Sequence, residues 1–453
     1  MRFHDSRRSR LALGVALAGC VDGAQARQHD SMVAMISRAE SDHAHHGEVS
    51  DASLVVDGRL DRSAVVSAVL ARNPDLDAAR AAWRAAVAGY PSAVALEDPM
   101  ARYALAPLGI GSSLPLGQRI EVSQKLPWPG RRQRRGDSAL AEAEAARADV
   151  EALGLDLAEA AVDAFDDDYI ATRALEINQH HRELLERIES SAIAQYTAGR
   201  ASQQDPLEAR THIIELERER LMLDTQRRAA VATLNRLLHR RADAELAPPA
   251  LRAVTVTATT TTTTTPPATT SGEPSREHPG RVAAEARLRA RRAEAEDAGL
   301  AFYPSFEVMA SYDSMWDAWQ HRWMIGVGVE IPLSRGKRGA DVERAPAEQA
   351  RAAAELAAVA DRLDEARARA RSEVEESTRA LDLYQAQLLP TARQRVDAAL
   401  AGFSTGQNPF SAVVMAEHEL RDVELAIERT RADLDRHLAA LERAEGRMPG
   451  GAR

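Results

Sequence analysis

Three clusters of side chains suited to chemistry stand out in this sequence. His43, His45 and His46, with His29 upstream, bring imidazoles together in "SDHAHHGE", and neutral rings of this kind are ligands for borderline cations. No cysteine accompanies them, and a solvated polar tail is the competing reading. Met309, Met315, Met324 and His321 offer thioether and imidazole donors around Trp316, Trp319 and Trp323. Packing within a β-hairpin, with the tryptophans as an aromatic girdle at a membrane interface, accounts for that cluster better than a metal site does. Asp166, Asp167 and Asp168 place adjacent carboxylates on a helix, either as a wall that attracts cations or, the preferred reading, as a solvated face. There is no HExxH, no phosphate-cradling Gly-rich loop, and a single cysteine, Cys20. Neither enzymatic chemistry nor a cofactor is expected.

The elements that must position these residues are mostly helical. Of 453 residues, 45% are hydrophobic but only 4% aromatic, so the apolar surface is chiefly Ala, Leu and Val, and the 28% that are charged can coat closely packed helices. The net charge of -10 argues against nucleic acid as a partner. No stretch approaches the roughly 18 apolar residues of a transmembrane helix, so a membrane crossing would have to use strands. The N-terminus reads as an export address: Arg2, Arg7, Arg8 and Arg10 precede the apolar run from Leu11 to Gly19. Residues 1–19 are expected to be a signal peptide. Leu17-Ala18-Gly19-Cys20 resembles a lipoprotein processing site, which implies lipidation of Cys20, and Val21 after it implies an outer membrane destination. Residues 20–54 are expected to be a lipidated, irregular and mobile segment.

The body of the chain is a duplication. An offset of 205 carries Pro74 onto Pro279 and "IEVSQKLP" (Ile120 to Pro127) onto "IGVGVEIP" (Ile325 to Pro332); an offset of 207 carries Gly199 onto Gly406. The threonine run Thr259 to Thr265, followed by Pro266 and Pro267, is too low in complexity to pack. The division is therefore a first repeat over residues 55–250, a linker over 251–275, a second repeat over 276–445 and a tail over 446–453. Each repeat has a short helix, two strands and two long helices.

Strands are expected at about 100–108, 118–127, 302–313 and 321–332. Ile120, Val122 and Leu126 alternate with Glu121 and Lys125; Trp323, Ile325, Val327 and Val329 alternate with Met324, Gly326, Gly328 and Glu330. Strands that are apolar on one side and small or polar on the other suit a barrel with lipid outside and water inside, which puts Glu121, Lys125, Glu307 and Glu330 toward water. Four strands cannot close a barrel, whose smallest forms need about eight, so several chains must contribute, and three give about twelve. Pro127, Trp128, Pro129 and Gly130 form the elbow into a helix over about 131–195, which returns over about 203–240; the second repeat does the same over about 339–401 and 408–445. Leu155, Ala158, Val162, Phe165 and Tyr169 follow the spacing of a coiled-coil seam.

Strand pairs and paired long helices, duplicated behind an export signal, resemble the TolC family of outer membrane factors. The residues that carry the likeness are "NPDLDAARAAW", "IEVSQKLPWPGRR", "YTAGRASQQDPLEAR", "FSTGQNPFSAVVMAEHEL" and "YDSMWDAWQHRWMIGVGVEIPL". The resemblance implies a mainly α protein with a membrane β-barrel: a homotrimer whose twelve strands form a barrel in outer membrane lipid, continuous with a twelve-helix α-barrel tube in the periplasm. It implies the passive duct of a tripartite efflux system, with a periplasmic adaptor (membrane fusion protein) and an inner membrane pump as partners. Pro-Trp-Pro-Gly and the Met/Trp-rich second hairpin look most like the branch that exports heavy-metal cations through pumps of the resistance-nodulation-division type. The resemblance places Gly199, Arg200, Gly406 and Gln407 at the adaptor-docking tip, and Asp205, Phe403, Asn408, Ala412 and Met415 at the tip constriction. This chain departs from the family there: Phe403 replaces a tyrosine, Asn408 a basic residue, and Ala412 and Met415 replace aspartates. Alternatives are an outer membrane factor for drugs or protein secretion, a periplasmic coiled-coil adaptor, and, more distantly, a secreted hydrolase.

Overall fold

The computed structural model describes residues 23–46, 51–106, 117–199, 202–250, 277–316 and 318–450. The signal segment, Cys20, Arg200 and the linker over 251–275 lie outside the described residues. In chain order the elements are α1 (Gly23–His46), β1 (Val55–Val56), β2 (Arg59–Leu60), α2 (Arg62–Arg72), α3 (Pro74–Val94), β3 (Met100–Ala106), β4 (Gly117–Leu126), α4 (Arg131–Thr197) and α5 (Gln204–Leu237). Then come α6 (Pro279–Gly299), β5 (Ser305–Asp313), β6 (Trp323–Glu330), α7 (Arg335–Leu383), α8 (Leu389–Ser404) and α9 (Phe410–Ala444). The order from α3 to α5 recurs from α6 to α9, with the outgoing helix of the second copy divided by a π-helical turn at Tyr384–Leu388. Pro390 follows that turn at the start of α8. Its ring cannot donate a hydrogen bond and crowds the preceding turn, which the wider π winding relieves.

The chain forms two compact units. The first gathers residues up to Ser41, Ala79–Val150 and Pro279–Ala360; the second gathers Asp42–Ala78, Glu151–His278 and Asp361–Arg453.

In the first unit, β3 to β6 form one antiparallel sheet in sequence order. Its register settles what shares a face. Tyr103, Ile120, Tyr312 and Trp323 lie across from one another, as do Ala101, Val122, Ala310 and Ile325. Val308 pairs with Val327, and Leu126 and Val329 flank Phe306. That face is mainly apolar, interrupted on β4 by Gln118 and Gln124, and bare, with Ile325 85% and Val327 68% exposed. The opposite face carries Arg102, Glu121, Ser311 and Met324 in one row and Lys125 beside Glu307 in another. Ion pairs cross it, Arg102 to Glu121 at 3.7 Å and Lys125 to Glu330 at 3.6 Å. A soluble sheet buries its apolar face and wets its polar one; here the apolar face has no cover among the described residues, while Ser123, Ser311 and Asp313 on the polar side are buried.

Helices of the same unit are zipped by charge. Arg131 to Asp297 (3.0 Å), Arg134 to Glu296 (2.9 Å), Arg291 to Glu142 (3.1 Å) and Arg289 to Glu144 (2.9 Å) run antiparallel between α4 and α6. Residues 20–54, expected to be irregular, instead include the 24-residue helix α1. Met32 is buried in a cluster with Trp83, Val87, Tyr90 and Leu140, with Ile36 and Ala39 packed on it. The stripe Met32, Ile36, Ala39 has helical spacing but so few apolar members that polar composition hides it. Gln25 secures the start of α1, its Nε2 donating to Asp137 Oδ1 (2.7 Å) and the Gln133 carbonyl (2.9 Å).

In the second unit, α4, α5, α8 and α9 meet in a cluster that includes Leu185, Ile188, Leu216, Val396, Phe403, Phe410 and Val413. The seam residues Leu155, Ala158, Val162, Phe165 and Tyr169 are all buried. No helix among the described residues is long and apolar enough to cross a membrane.

Candidate functional site

The elbow of the first unit is locked by aromatic stacking and a left-handed glycine. Trp128 stacks on Tyr303 at 4.8 Å and lies 5.9 Å from Phe306. Gly130 has φ of 91°, a conformation costly for any residue with a Cβ, and lets Arg131 N–H return to the Trp128 carbonyl at 3.2 Å. The Arg131 guanidinium then grips both oxygens of Asp297, at 3.0 and 3.1 Å. Pro127, Trp128, Pro129 and Gly130 thus fasten the end of β4 to the start of α4 and to α6.

The two helical turns lie in the second unit and are built alike. Gly406 (φ 73°) ends α8: its N–H donates to the Phe403 carbonyl at 3.1 Å, and Gln407 N–H donates to the Gly402 carbonyl at 2.8 Å, the two bonds of a Schellman cap. Gly199 (φ 71°) ends α4 with its N–H on the Tyr196 carbonyl at 2.9 Å. Gly199, Gly406, Gln407 and Asn408 are exposed.

The constriction candidates do not form one cluster. Phe403 is 7% exposed and packs edge-on against Phe410 at 5.3 Å, so it belongs to the core of the turn. Asn408 folds over Gly402, where a Cβ would lie 2.2 Å from its Nδ2. Asp205 is half-buried in the first turn of α5, Ala412 is half-buried, and Met415 is 64% exposed. His43, His45 and His46 fall in the last turns of α1, and their side chains lie outside the described residues.

Asp166, Asp167 and Asp168 do not form the expected solvated face. Asp166 and Asp168 are both 0% exposed; only Asp167 faces out, paired with Arg436. Arg227 of α5 reaches Asp168 Oδ1 at 3.3 Å, and burial raises the Asp168 pKa against the pull of that guanidinium. These aspartates are part of a buried polar seam that the apolar pattern does not announce. Tyr169 donates its hydroxyl to Glu428 Oε2 at 2.7 Å, while Arg173 (3.3 Å) and Arg431 (2.9 Å) hold Oε1. Burial, then the carboxylate, push the Tyr169 pKa up to about 12.

Farther along, His181, 2% exposed, is held between two carboxylates. Its Nε2 lies 3.1 Å from Glu424 Oε2, and its Nδ1 lies 3.3 Å from Glu417 Oε1, off the hydrogen-bond direction. Burial pulls its pKa down, but the carboxylates outweigh that and raise it to about 9. His181 holds the Glu424 pKa below the usual carboxylate value. The signal for this seam is in α9: Glu417, Arg421, Glu424, Glu428, Arg431 and Asp435 recur at the 3-4 spacing usually given to apolar residues. Val423, Leu434, Leu438 and Leu441, which look apolar enough to line α9, are only half-buried.

One more cluster bridges α5 and α9. His212 Nδ1 lies 3.2 Å from His418 Nε2 and 2.8 Å from Glu215 Oε2. Burial, then Arg421 and His212, lower the His418 pKa.

Residues 277–447 match the family model for outer membrane efflux proteins. No curated protein matches the sequence. Among solved structures, the chain is similar to the outer-membrane channel OprN, with 22% identity and a TM-score of 0.70 over 84% of this chain and 89% of that one. It is similar to a membrane protein from Pseudomonas aeruginosa, with 21% identity and a TM-score of 0.72 over 89% and 93%. It is also similar to CusC, with 18% identity and a TM-score of 0.72 over 87% and 94%. The chain therefore has the fold of these solved structures, and its second repeat carries the sequence pattern of the outer membrane efflux protein family.

Proposed function

We propose that this protein is an outer membrane efflux channel: a lipid-anchored homotrimer that serves as the passive exit duct of a tripartite system, with a periplasmic adaptor and an inner membrane pump as partners. The carrying observation is the inverted sheet. A bare apolar face over β3 to β6, backed by a face of Arg102, Glu121, Lys125 and Glu330, suits strands with lipid on one side and water on the other. Aromatic residues mark both ends of that face: Tyr103, Tyr312 and Trp323 at one, Trp128, Tyr303 and Phe306 at the other. From Phe306 to Tyr312 is six residues of strand, about 20 Å, close to the apolar band of a membrane barrel. Three copies would supply about twelve strands, enough to close.

As cargo we propose heavy-metal cations. Pro-Trp-Pro-Gly and the Met/Trp-rich second hairpin favour it, and the register adds that Met309 lies on the polar face, directly across from Ser123 and Gly326. Met100 and Met324 share that face, so thioethers, which are soft ligands, would line the wet side. Drug efflux is the second reading, because selection by the pump would leave the duct's residues uncommitted. Membrane fractionation with chemical crosslinking tests the channel: a crosslinked trimer in the outer membrane fraction is expected, and a soluble monomer would overturn it. A deletion strain sensitised to metal salts, and unaltered toward drugs, would decide the cargo in favour of cations.

A further inference from the structure

We propose that His212, Glu215 and His418 form a site for a divalent transition cation of the zinc class, which staples α5 to α9. His212 and Glu215 stand three residues apart on one face of α5, and His418 approaches from α9. Their donor atoms all lie within 4.8 Å of one another. A tetrahedral ion with nitrogen and oxygen ligands at about 2.0–2.1 Å holds its donors roughly 3.3 Å apart. The 3.2 Å between the imidazole nitrogens and the 2.8 Å from His212 to Glu215 are already close to that.

Hydrogen bonding alone serves the cluster poorly. His212 Nδ1 faces both a carboxylate oxygen and another imidazole nitrogen, and one N–H or one lone pair cannot serve both well. A cation among the three satisfies all of them at once.

The surroundings fit such an ion. These residues line a cavity of about 20 Å³ together with His181, Glu417 and Arg421, more than the roughly 10–15 Å³ that a single water needs. Glu417 is 3% exposed, and neither of its oxygens has a hydrogen-bond partner among the described residues; its ion contact is the 3.3 Å approach to His181. It sets a buried negative charge on the cavity wall. The Arg421 guanidinium on that wall is engaged by Glu219 at 3.0 Å and Asp422 at 3.6 Å. Two imidazoles and a carboxylate select zinc-class ions over calcium or magnesium, which take oxygen ligands, and over cuprous ion, which prefers sulfur. Glu215 is exposed, leaving a fourth position open to water.

The effect would be mechanical. α5 closes the first repeat and α9 the second, so an ion held between them ties the two helical hairpins together. His418 lies eight residues from Phe410 and thus about 12 Å along α9 from the turn. The site stands on α5 and α9 alone, so it does not depend on the outcome of membrane fractionation.

The test is Zn²⁺ titration of the full chain in detergent, in a parent carrying H29A, H43A, H45A and H46A so that the α1 histidines cannot contribute. One saturable Zn²⁺ per chain is expected. His212→Gln, His418→Gln and Glu215→Gln should each weaken it by at least the ~10-fold that loss of even an outer partner costs. Added Zn²⁺ should raise the melting temperature of the parent and not of the variants. Glu215 is exposed, so Glu215→Gln reads the site even where a histidine variant fails to fold. No saturable binding in the parent, or binding undiminished in Glu215→Gln, would overturn the proposal.

Discussion

His181 gives the most quantitative handle on the buried seam. It is 2% exposed, and its pKa is raised from 6.5 to about 9 because Glu417 and Glu424 outweigh the cost of burying the imidazolium. A folded-state value above the unfolded one means the charged ring stabilises the fold in full below pH 6.5 and loses that contribution as pH rises through 9. A tenfold change in proton affinity corresponds to about 1.4 kcal/mol, so the interval represents on the order of 3 kcal/mol. Glu424 has the opposite sign: its lowered pKa contributes stability above the unfolded value that is lost as pH falls through the folded one. The contribution of this pair should therefore be largest in mildly acidic solution and decline from pH 6.5 to 9, by up to about 1.4 kcal/mol per pH unit.

His181→Gln should abolish that decline. It should also destabilise the protein at pH 6 by about 3–5 kcal/mol, since Glu417, 3% exposed, would lose the cation beside it. Urea unfolding followed by the helical circular dichroism of the full chain in detergent, repeated across pH 5 to 9, reads both effects. An unchanged midpoint between pH 6.5 and 9 in the wild type, or the same slope in His181→Gln, would refute the assignment of the charge to this ring.

Ile325→Lys places a charge on the bare face of the sheet, where Ile325 is 85% exposed. If that face meets lipid, insertion into vesicles should weaken by about 2–4 kcal/mol at midplane depth, and urea titration of vesicle-bound protein checks it; no loss would count against the lipid assignment. Gly199→Val and Gly406→Val put branched side chains at φ of 71° and 73°, a conformation that costs an L-residue about 1–2 kcal/mol. Trimers should still reach the outer membrane while efflux complementation is lost; unchanged efflux would contradict a docking role for the turns.

The strands were legible because their period of two runs unbroken, as in Trp323, Ile325, Val327 and Val329, and the observed strand β6 covers them. Both turn glycines were legible because each ends a long helical pattern, and both adopt positive φ. The buried seam was not. Asp166 and Asp168 look like a solvated face until the fold buries both and brings Arg227, distant in sequence, to Asp168. A charged residue at a seam position is indistinguishable from a surface charge unless its spacing is read without regard to polarity. α1 escaped for a related reason: Trp83 and Tyr90 from α3 supply the apolar surface that its own stripe lacks.

The lipid assignment and oligomerisation are physically one claim. In the sheet as one chain forms it, β3 pairs only with β4, and β6 only with β5, among the described residues. In water an open edge is tolerable. In hydrocarbon every unpaired N–H and C=O costs several kcal/mol, so the outer edges of β3 and β6 would carry a penalty that no side chain on the apolar face can offset. A copy added at one edge leaves another edge open; only a closed ring of copies removes them all. A four-stranded chain that enters lipid must therefore close with others, and one that stays a monomer must keep its apolar face out of the membrane.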